Sequence, residues 1–187
     1  GQPTFLALHL TLAHWPYAQA GYPYTRNEPK LLRAAYERSV AAVDAQFARA
    51  MALLQRKGLL EDAVVVLLSD HGEGMGYGKD SLLRDVRPLD QLWGSLWGHG
   101  TSVMTPHQFQ VMLAFRGFGR AALAGAAGTQ RVPASLEDVA PTLLDLAGVP
   151  SRDAFDGQSL AGVLQGQAPT EVLFARVRYT ETDFNTP

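Results

Sequence analysis

The stretch Ala63-Val64-Val65-Val66-Leu67-Leu68-Ser69-Asp70-His71-Gly72-Glu73 joins an apolar run to a polar ending. Its first six residues are aliphatic, with no alternation between apolar and polar positions. Such a run predicts a central β-strand that is covered on both faces. Asp70 and His71 follow the run directly, and Gly72 permits the chain to turn sharply away from them. We therefore expect Asp70 and His71 at the carboxyl end of a buried strand.

Residues on the N-terminal side of this stretch predict one further strand and one long helix. Residues 5–10 are short and apolar, which is typical of a buried strand, and His14 follows in a proline-containing loop. Over residues 31–57 apolar side chains recur every three or four positions, as on one face of an amphipathic helix. Gly58 is a plausible C-cap for that helix.

Residues on the C-terminal side predict two strands and a second helix. The strands are expected at residues 109–115 and 173–179. Ser135 and Asp138 have the spacing of a capping box and precede a helical pattern at Val139–Leu146. Strands that alternate with helices indicate an α/β sandwich with a largely parallel sheet, in which ligands bind beyond the carboxyl ends of the strands.

Composition limits the classes of protein to which the chain can belong. Its 187 residues suit one domain. With 16 Lys and Arg against 18 Asp and Glu and no basic cluster, a nucleic-acid partner is not expected. The absence of cysteine excludes disulfides, thiolate metal sites and a cysteine nucleophile from this chain. Its longest aliphatic run, residues 63–68, is far shorter than the roughly 20 residues of a membrane span, so no membrane contact is expected from this segment.

Asp70 and His71 are the strongest candidates for metal ligands. A carboxylate next to an imidazole offers one hard oxygen and one nitrogen, which suits zinc, manganese or another divalent ion. The same two residues could instead cap a turn and form a polar loop. A dipeptide alone does not decide between these interpretations.

Four more side chains could act at the same strand ends. His14 follows the first predicted strand, and His99 lies in the glycine-rich segment 72–100, which predicts a long irregular loop. Lys79, in that segment, could bind an oxyanion, although a lone lysine there is usually solvated. Glu73 could be a general acid or base, or it could orient a metal ligand.

Taken in order, these motifs resemble the sulfatase family of the alkaline phosphatase superfamily, including its phosphoethanolamine and phosphoglycerol transferase relatives. The resemblance is carried by His14-Trp15-Pro16-Tyr17, Tyr36-Glu37-Arg38-Ser39-Val40, Leu68-Ser69-Asp70-His71-Gly72-Glu73, Gly98-His99-Gly100, Val139-Ala140-Pro141-Thr142-Leu143-Leu144-Asp145-Leu146 and Asp156-Gly157-Gln158-Ser159-Leu160. It implies a three-layer α/β/α sandwich, alkaline phosphatase-like and incomplete. Residues 1–187 would form the C-terminal portion of the catalytic domain as a single domain.

The resemblance also implies roles for individual residues. Asp70 and His71 would bind a divalent ion, which could be zinc, manganese, calcium or magnesium. His14 and His99 would be catalytic residues that bind the substrate oxyanion or a second metal, with Lys79 as a further substrate-binding group. The family transfers a sulfuryl or phosphoryl group through a protein nucleophile. No Cys-x-Pro-x-Arg-like segment is present, so we expect that nucleophile in a missing N-terminal half of the same protein, and we expect the fragment alone to be inactive.

The expected function is metal-dependent hydrolysis of sulfate or phosphate esters. One alternative is a membrane-anchored transferase of phosphoethanolamine or phosphoglycerol groups in a bacterial cell envelope. Another is a degenerate, non-catalytic sulfatase-like domain that binds or scaffolds. The resemblance favours a periplasmic or membrane-anchored protein with an extracytoplasmic catalytic domain.

Overall fold

The computed structural model describes residues 4–15, 17, 29–75, 97–99, 106–125, 127–151 and 154–169. The chain divides into two compact units, residues 1–58 and 59–187, and each unit is described by itself. Lys79 and the strand expected at residues 173–179 lie outside the described residues. The single domain expected for residues 1–187 stays a prediction.

The first unit is built on one long helix, α1, at Pro29–Arg56. A proline suits the first helical turn because its fixed φ is already helical and its missing N–H would have no partner there. Leu32, Ala35 and Ser39 are buried and lie on one face, three and four positions apart. Gly58 has a φ of 68°, and its N–H donates to the Gln55 carbonyl at 3.0 Å, which confirms the predicted end of the helix. Where the chain is described, no helix combines the length and hydropathy that a membrane span requires.

The strand predicted at residues 5–10 is not formed. Residues 4–10 have no regular secondary structure, and Phe5, Leu6 and Leu8 are 83%, 55% and 57% exposed. An apolar run becomes a strand only where neighbouring backbone accepts and donates its hydrogen bonds. None of the described strands pairs with this segment.

The second unit contains two small sheets. Strand β1, at Val64–Leu68, confirms the strand predicted in the apolar run. Strands β2 and β3, at Gly74–Met75 and Trp97–Gly98, form a second pair. A short helix, α2, at Pro106–Phe109 precedes strand β4 at Leu113–Gly117. The strand predicted at 109–115 is therefore displaced, because a proline opens a helical turn immediately before it.

Both sheets formed by the described residues are antiparallel. β1 pairs with β4 from Val64 opposite Gly117 to Leu68 opposite Leu113. Parallel pairing requires a crossover connection, usually a helix of several turns. Within the described part of the chain between β1 and β4, the only helix is the four-residue α2, and β4 returns antiparallel. The first four residues of β1 are half-buried and Leu68 is exposed, so the described residues do not cover this strand on both faces as predicted.

An ion pair joins the chain just before β1 to a 3₁₀ turn just after β4. Arg120 Nε and Nη2 donate to Asp62 Oδ2 at 2.8 and 2.6 Å, and the Arg120 backbone N–H donates to Oδ1 at 2.7 Å. These side-chain hydrogen bonds hold the pKa of Asp62 below its usual value and raise the pKa of Arg120. The two strands are thus connected by side chains as well as by the ladder at the end of the pair where Val64 lies opposite Gly117.

A buried carboxylate marks the start of the next helix, α3, at Val139–Leu146. Asp138 is fully buried, and its Oδ2 accepts the Ser135 backbone N–H at 2.8 Å, as expected from the box-like spacing. Its other oxygen, Oδ1, accepts the Gln158 backbone N–H at 2.8 Å. One side chain therefore closes the capping box of the 3₁₀ turn at Leu136–Asp138, which leads into the helix, and fixes a segment 20 residues further along the chain.

A second buried side chain strengthens this connection. Thr142 is fully buried on α3, and its hydroxyl donates to the Asp138 carbonyl at 2.6 Å and accepts the Leu160 N–H at 2.8 Å. A Cβ on Gly157 would lie 2.0 Å from the Glu137 carbonyl oxygen, so only glycine fits at this approach. The segment at residues 156–160 is thus held against α3. Helix α4, at Ala161–Leu164, follows this segment.

Candidate functional site

The polar end of β1 is held in place by the chain around α2. The Ser69 N–H donates to the Met112 carbonyl at 3.0 Å, and Ser69 Oγ accepts the Met112 N–H at 3.0 Å. The Gly72 N–H donates to the Gln108 carbonyl at 2.8 Å. These three hydrogen bonds fix the backbone on both sides of the Asp-His pair.

Gly72 is required by a close backbone approach. A Cβ at this position would lie 2.1 Å from the His107 carbonyl oxygen and 2.8 Å from that of Gln110. The sequence predicted glycine here for the sharpness of the turn, whereas the structure shows that α2 packs directly on the Cα atom. Any larger residue would separate the strand end from α2.

Asp70 and His71 lie where the strand prediction put them, at the end of β1. Asp70 Oδ1 accepts the His71 backbone N–H at 3.0 Å and lies 3.6 Å from His71 Nε2. His71 Nδ1 lies 2.7 Å from the Gly72 carbonyl oxygen, which can only accept, so Nδ1 carries the proton and Nε2 carries the lone pair. Two ligand atoms that are each about 2.1 Å from one ion lie no more than about 4.2 Å apart. The separation of Oδ1 and Nε2 therefore fits a shared divalent ion.

The β2–β3 pair brings a second histidine to this strand end. Gly74 in β2 lies opposite Gly98 in β3, and Gly98 has a φ of 82°, which favours glycine. His99 follows β3 directly, and Glu73 precedes β2. Glu73 and His99, which are 26 positions apart in the sequence, are therefore brought together by a ladder with two residues in each strand.

His71, Glu73 and His99 form one cluster. His99 Nδ1 lies 3.1 Å from Glu73 Oε2, and the two imidazole rings lie 3.8 Å apart with a tilt of 30°. One potential ligand atom from each residue lies within 4.8 Å of the others. The Glu73 side chain is 8% exposed, and its Oε1 is buried without a hydrogen-bond partner among the described residues.

The donor set of this cluster suits a divalent metal ion. Two imidazoles and a carboxylate are ligands that zinc and manganese accept. A buried carboxylate oxygen without a donor is unfavourable, and a nearby cation would satisfy it. The partner of Glu73 could not be predicted from the sequence, because a ladder with two residues in each strand produces no periodic pattern. The glycines at both ends of the segment 72–100 were the only sequence signal for this pairing.

His14 lies in the first unit and is described there. It is exposed, and its Nδ1 lies 2.6 Å from the Trp15 carbonyl oxygen. Tyr17, which is fully buried with a φ of 64°, makes edge-to-face contacts with Trp15 and Tyr36 at 5.4 and 5.2 Å. Aromatic packing on α1 therefore fixes the turn that carries His14. The roles expected for His14, Lys79 and His99 stay predictions.

Known proteins resemble this chain over most of its length. A profile of the sulfatase family matches residues 1–149. Arylsulfatase K of Gallus gallus is 28% identical over 155 residues, which cover 80% of this chain and 24% of the relative. Arylsulfatase K of Danio rerio is 30% identical over 141 residues, 73% of this chain and 22% of the relative.

A third relative is the low-salt glycan biosynthesis sulfotransferase Agl7 of Haloferax volcanii. It is 30% identical over 157 residues, which cover 79% of this chain and 34% of the relative. The chain thus spans about a quarter to a third of the length of these three proteins. Since the family profile covers most of the chain, including the Asp-His pair at the end of β1 and both partners of the Glu73–His99 contact, the chain belongs to the sulfatase family.

Proposed function

We propose that this chain is the metal-binding part of a hydrolase that cleaves sulfate or phosphate esters, and that the rest of the catalytic domain belongs to a longer protein. Membership of the sulfatase family and the likeness to two arylsulfatases favour a sulfate ester. The observation that carries the proposal is the 3.6 Å separation of Asp70 Oδ1 and His71 Nε2 at the end of β1. For the complete domain we propose a three-layer α/β/α sandwich with a largely parallel sheet.

Asp70 and His71 would hold a divalent metal ion. The Asp70 side chain is 80% exposed, which suits a ligand that faces an open cleft. His71 is already in the tautomer that a metal requires, because its Nδ1–H donates to the Gly72 carbonyl. A bound ion would neutralise charge on the transferred group and polarise its oxygens.

His99 would bind the transferred group or a second metal ion. It follows β3 and lies against His71, so it is close to the proposed ion. His14 and Lys79 are proposed as additional substrate-binding groups, and the nucleophile as a residue outside this chain. An extracytoplasmic location is proposed from the family resemblance alone.

Transfer of the group to an acceptor other than water is the second candidate function. The relative from Haloferax volcanii is named a sulfotransferase and covers 79% of this chain. The same metal ligands would serve either reaction, because both stabilise charge on a tetrahedral oxyanion. A phosphoethanolamine or phosphoglycerol transferase belongs to this second class.

The experiment uses the full-length protein that contains this chain, loaded with zinc or manganese. Turnover of an aryl sulfate and of a phosphodiester is measured together with bound metal per protein by atomic emission. We expect Asp70→Ala and His71→Ala each to lower turnover at least about 100-fold and to reduce metal content, since both remove a ligand.

Asp145→Ala is the matched control, because Asp145 is an exposed carboxylate on α3. It should retain the turnover and metal content of the wild type. Full metal content and turnover in Asp70→Ala would refute the proposed site. A wild-type protein that binds metal but turns over neither substrate would favour the transferase or the non-catalytic alternative, which an acceptor screen would then separate.

A further inference from the structure

We propose that Glu73 is a positioning residue that keeps the proton of His99 on Nδ1, so that Nε2 acts through its lone pair. This inference rests on the proposed function for the role of His99 at the metal and substrate. It assigns the chemistry of that role: His99 would bind a cation or accept a proton rather than donate a hydrogen bond to an oxyanion.

The contact between the two side chains determines the tautomer. Glu73 Oε2 lies 3.1 Å from His99 Nδ1, and an ionised carboxylate can only accept a hydrogen bond. Nδ1 must therefore carry a proton, and in the neutral imidazole the lone pair is then on Nε2. The Glu73 side chain is 8% exposed, so water competes little for this bond.

The backbone on both sides of Glu73 keeps the carboxylate in place. Gly72 is bonded to the Gln108 carbonyl, and Gly74 is paired with Gly98. A Cβ on Gly98 would lie 3.5 Å from Glu73 Oε1, which is an ordinary van der Waals contact, so the carboxylate lies directly beside the Gly98 backbone. The pairing of β2 with β3 and the contact with α2 therefore fix the backbone from which Glu73 reaches His99.

His71 restricts the orientation of the His99 ring. The two imidazole centroids are 3.8 Å apart and their planes are tilted by only 30°. The stacking contact fixes the plane of the ring, and a 180° flip within that plane would lose the contact of Nδ1 with Glu73 Oε2. The hydrogen bond therefore selects the orientation of the ring, and the stacking contact holds its plane.

The environment of Glu73 Oε1 indicates that a contribution to folding stability does not by itself explain a glutamate at this position. Its Oε1 is buried, and no residue in the part of the chain that the structure describes bonds to it. A half-satisfied buried carboxylate is less favourable for folding than a neutral apolar side chain of similar size. A residue that is unfavourable for folding but orients a ligand is the usual pattern at a functional site.

The tautomer matters because a free imidazole prefers to carry its proton on Nε2. In that form Nε2 is a donor and cannot bind a metal ion. The Glu73 carboxylate reverses the preference before any ion arrives. Removing the carboxylate would therefore convert Nε2 of His99 from an acceptor into a donor.

The test is solid-state NMR of the full-length protein labelled with ¹⁵N-histidine, with and without zinc, near neutral pH. The His99 signals are assigned by their loss in His99→Gln. In the zinc-free protein we expect a protonated Nδ1 and an unprotonated Nε2. Glu73→Ala should move the proton to Nε2, and Glu73→Gln, which retains an acceptor oxygen, should restore part of the Nδ1–H population.

A second readout separates positioning from a general structural effect. Zinc affinity should fall about 10- to 100-fold in Glu73→Ala, as for other residues that orient metal ligands, while the melting temperature of the zinc-free protein stays close to that of the wild type. Asp145→Ala should change neither the tautomer nor the affinity.

Three results would overturn the inference: a wild-type His99 protonated on Nε2 alone, a His99 protonated on both nitrogens, or an unchanged tautomer in Glu73→Ala. The zinc-free NMR spectrum is independent of turnover. Failure of this inference can therefore be distinguished from failure of the proposed hydrolase function.

Discussion

Replacing Asp138 by asparagine would remove a buried charge without changing the size of the side chain. The carboxylate accepts the Ser135 N–H on Oδ2 and the Gln158 N–H on Oδ1, each at 2.8 Å. Asparagine keeps one acceptor oxygen and directs an NH₂ group toward the other backbone donor. One buried N–H would then face a donor instead of an acceptor.

The magnitude follows from these two bonds. A hydrogen bond to a charged group contributes about 1.5–3 kcal/mol, and a buried donor left unpaired costs about 1–3 kcal/mol. Since one bond is lost and the other becomes neutral, we expect the free energy of local opening to fall by about 2–4 kcal/mol. Because about 1.4 kcal/mol is a factor of ten, the opening constant should rise about 30- to 1,000-fold.

Hydrogen–deuterium exchange measures this opening locally, on peptides that cover α3 and residues 158–164. Asp145→Asn makes the same chemical change at an exposed position of the same helix, and it should alter the opening free energy by less than about 0.5 kcal/mol. The reasoning would be refuted if Asp138→Asn exchanged at the wild-type rate, or if both variants had equal effects.

Three further predictions concern other contacts. Thr142→Val deletes a hydroxyl that accepts a buried N–H, so urea unfolding should show a destabilisation of about 1–3 kcal/mol. Thr142→Ser keeps the hydroxyl and loses one methyl, so it should cost about 0.8 kcal/mol. A valine variant as stable as the wild type would contradict this prediction. Gly72→Ala would put a Cβ 2.1 Å from the His107 carbonyl oxygen and would push the end of β1 away from α2. The zinc affinity, measured by titration, should therefore fall at least about tenfold. An unchanged affinity would show that zinc binding does not depend on this contact. The lowered pKa of Asp62 means that its bond to Arg120 stabilises the fold above the unfolded pKa of about 3.9 and that this contribution disappears as pH falls through the folded value. Thermal melts should therefore separate Arg120→Met from the wild type near neutral pH and converge only as the pH falls from about 4 through the lowered pKa of Asp62, whereas a constant difference would exclude this linkage.

Local patterns predicted the elements whose residues carry their own signal. The apolar spacing predicted a helix at 31–57, and α1 covers Pro29–Arg56. The valine-rich run predicted β1, and the Ser135–Asp138 spacing predicted the start of α3. In each case the deciding residues lie within a single element or its cap.

Patterns that depend on distant partners predicted less. Residues 5–10 have the composition of a strand, yet none of the described strands pairs with them. The order of elements predicted parallel pairing, but the direction of β4 depends on the route of the chain between the strands. The helical turn at Pro106–Phe109 moved the expected strand at 109–115 to Leu113–Gly117.

The candidate site follows the same division. Asp70 and His71 are adjacent in sequence and follow a recognisable strand, so their proximity was predictable. The contact of Glu73 with His99 was not, because it depends on a ladder between residues more than 20 positions apart. Glu73 was therefore named with several possible roles, and the pairing of β2 with β3 supplies the contact on which its proposed positioning role rests.

The pairing of β2 with β3 also bears on changes in the length of the chain between them. Because backbone hydrogen bonds hold Gly74 opposite Gly98, the connecting chain does not determine the position of His99. Its length enters chiefly through closure entropy, and doubling that length costs only about 0.6 kcal/mol. Insertions between Met75 and Trp97 are therefore expected to leave Glu73 and His99 in register.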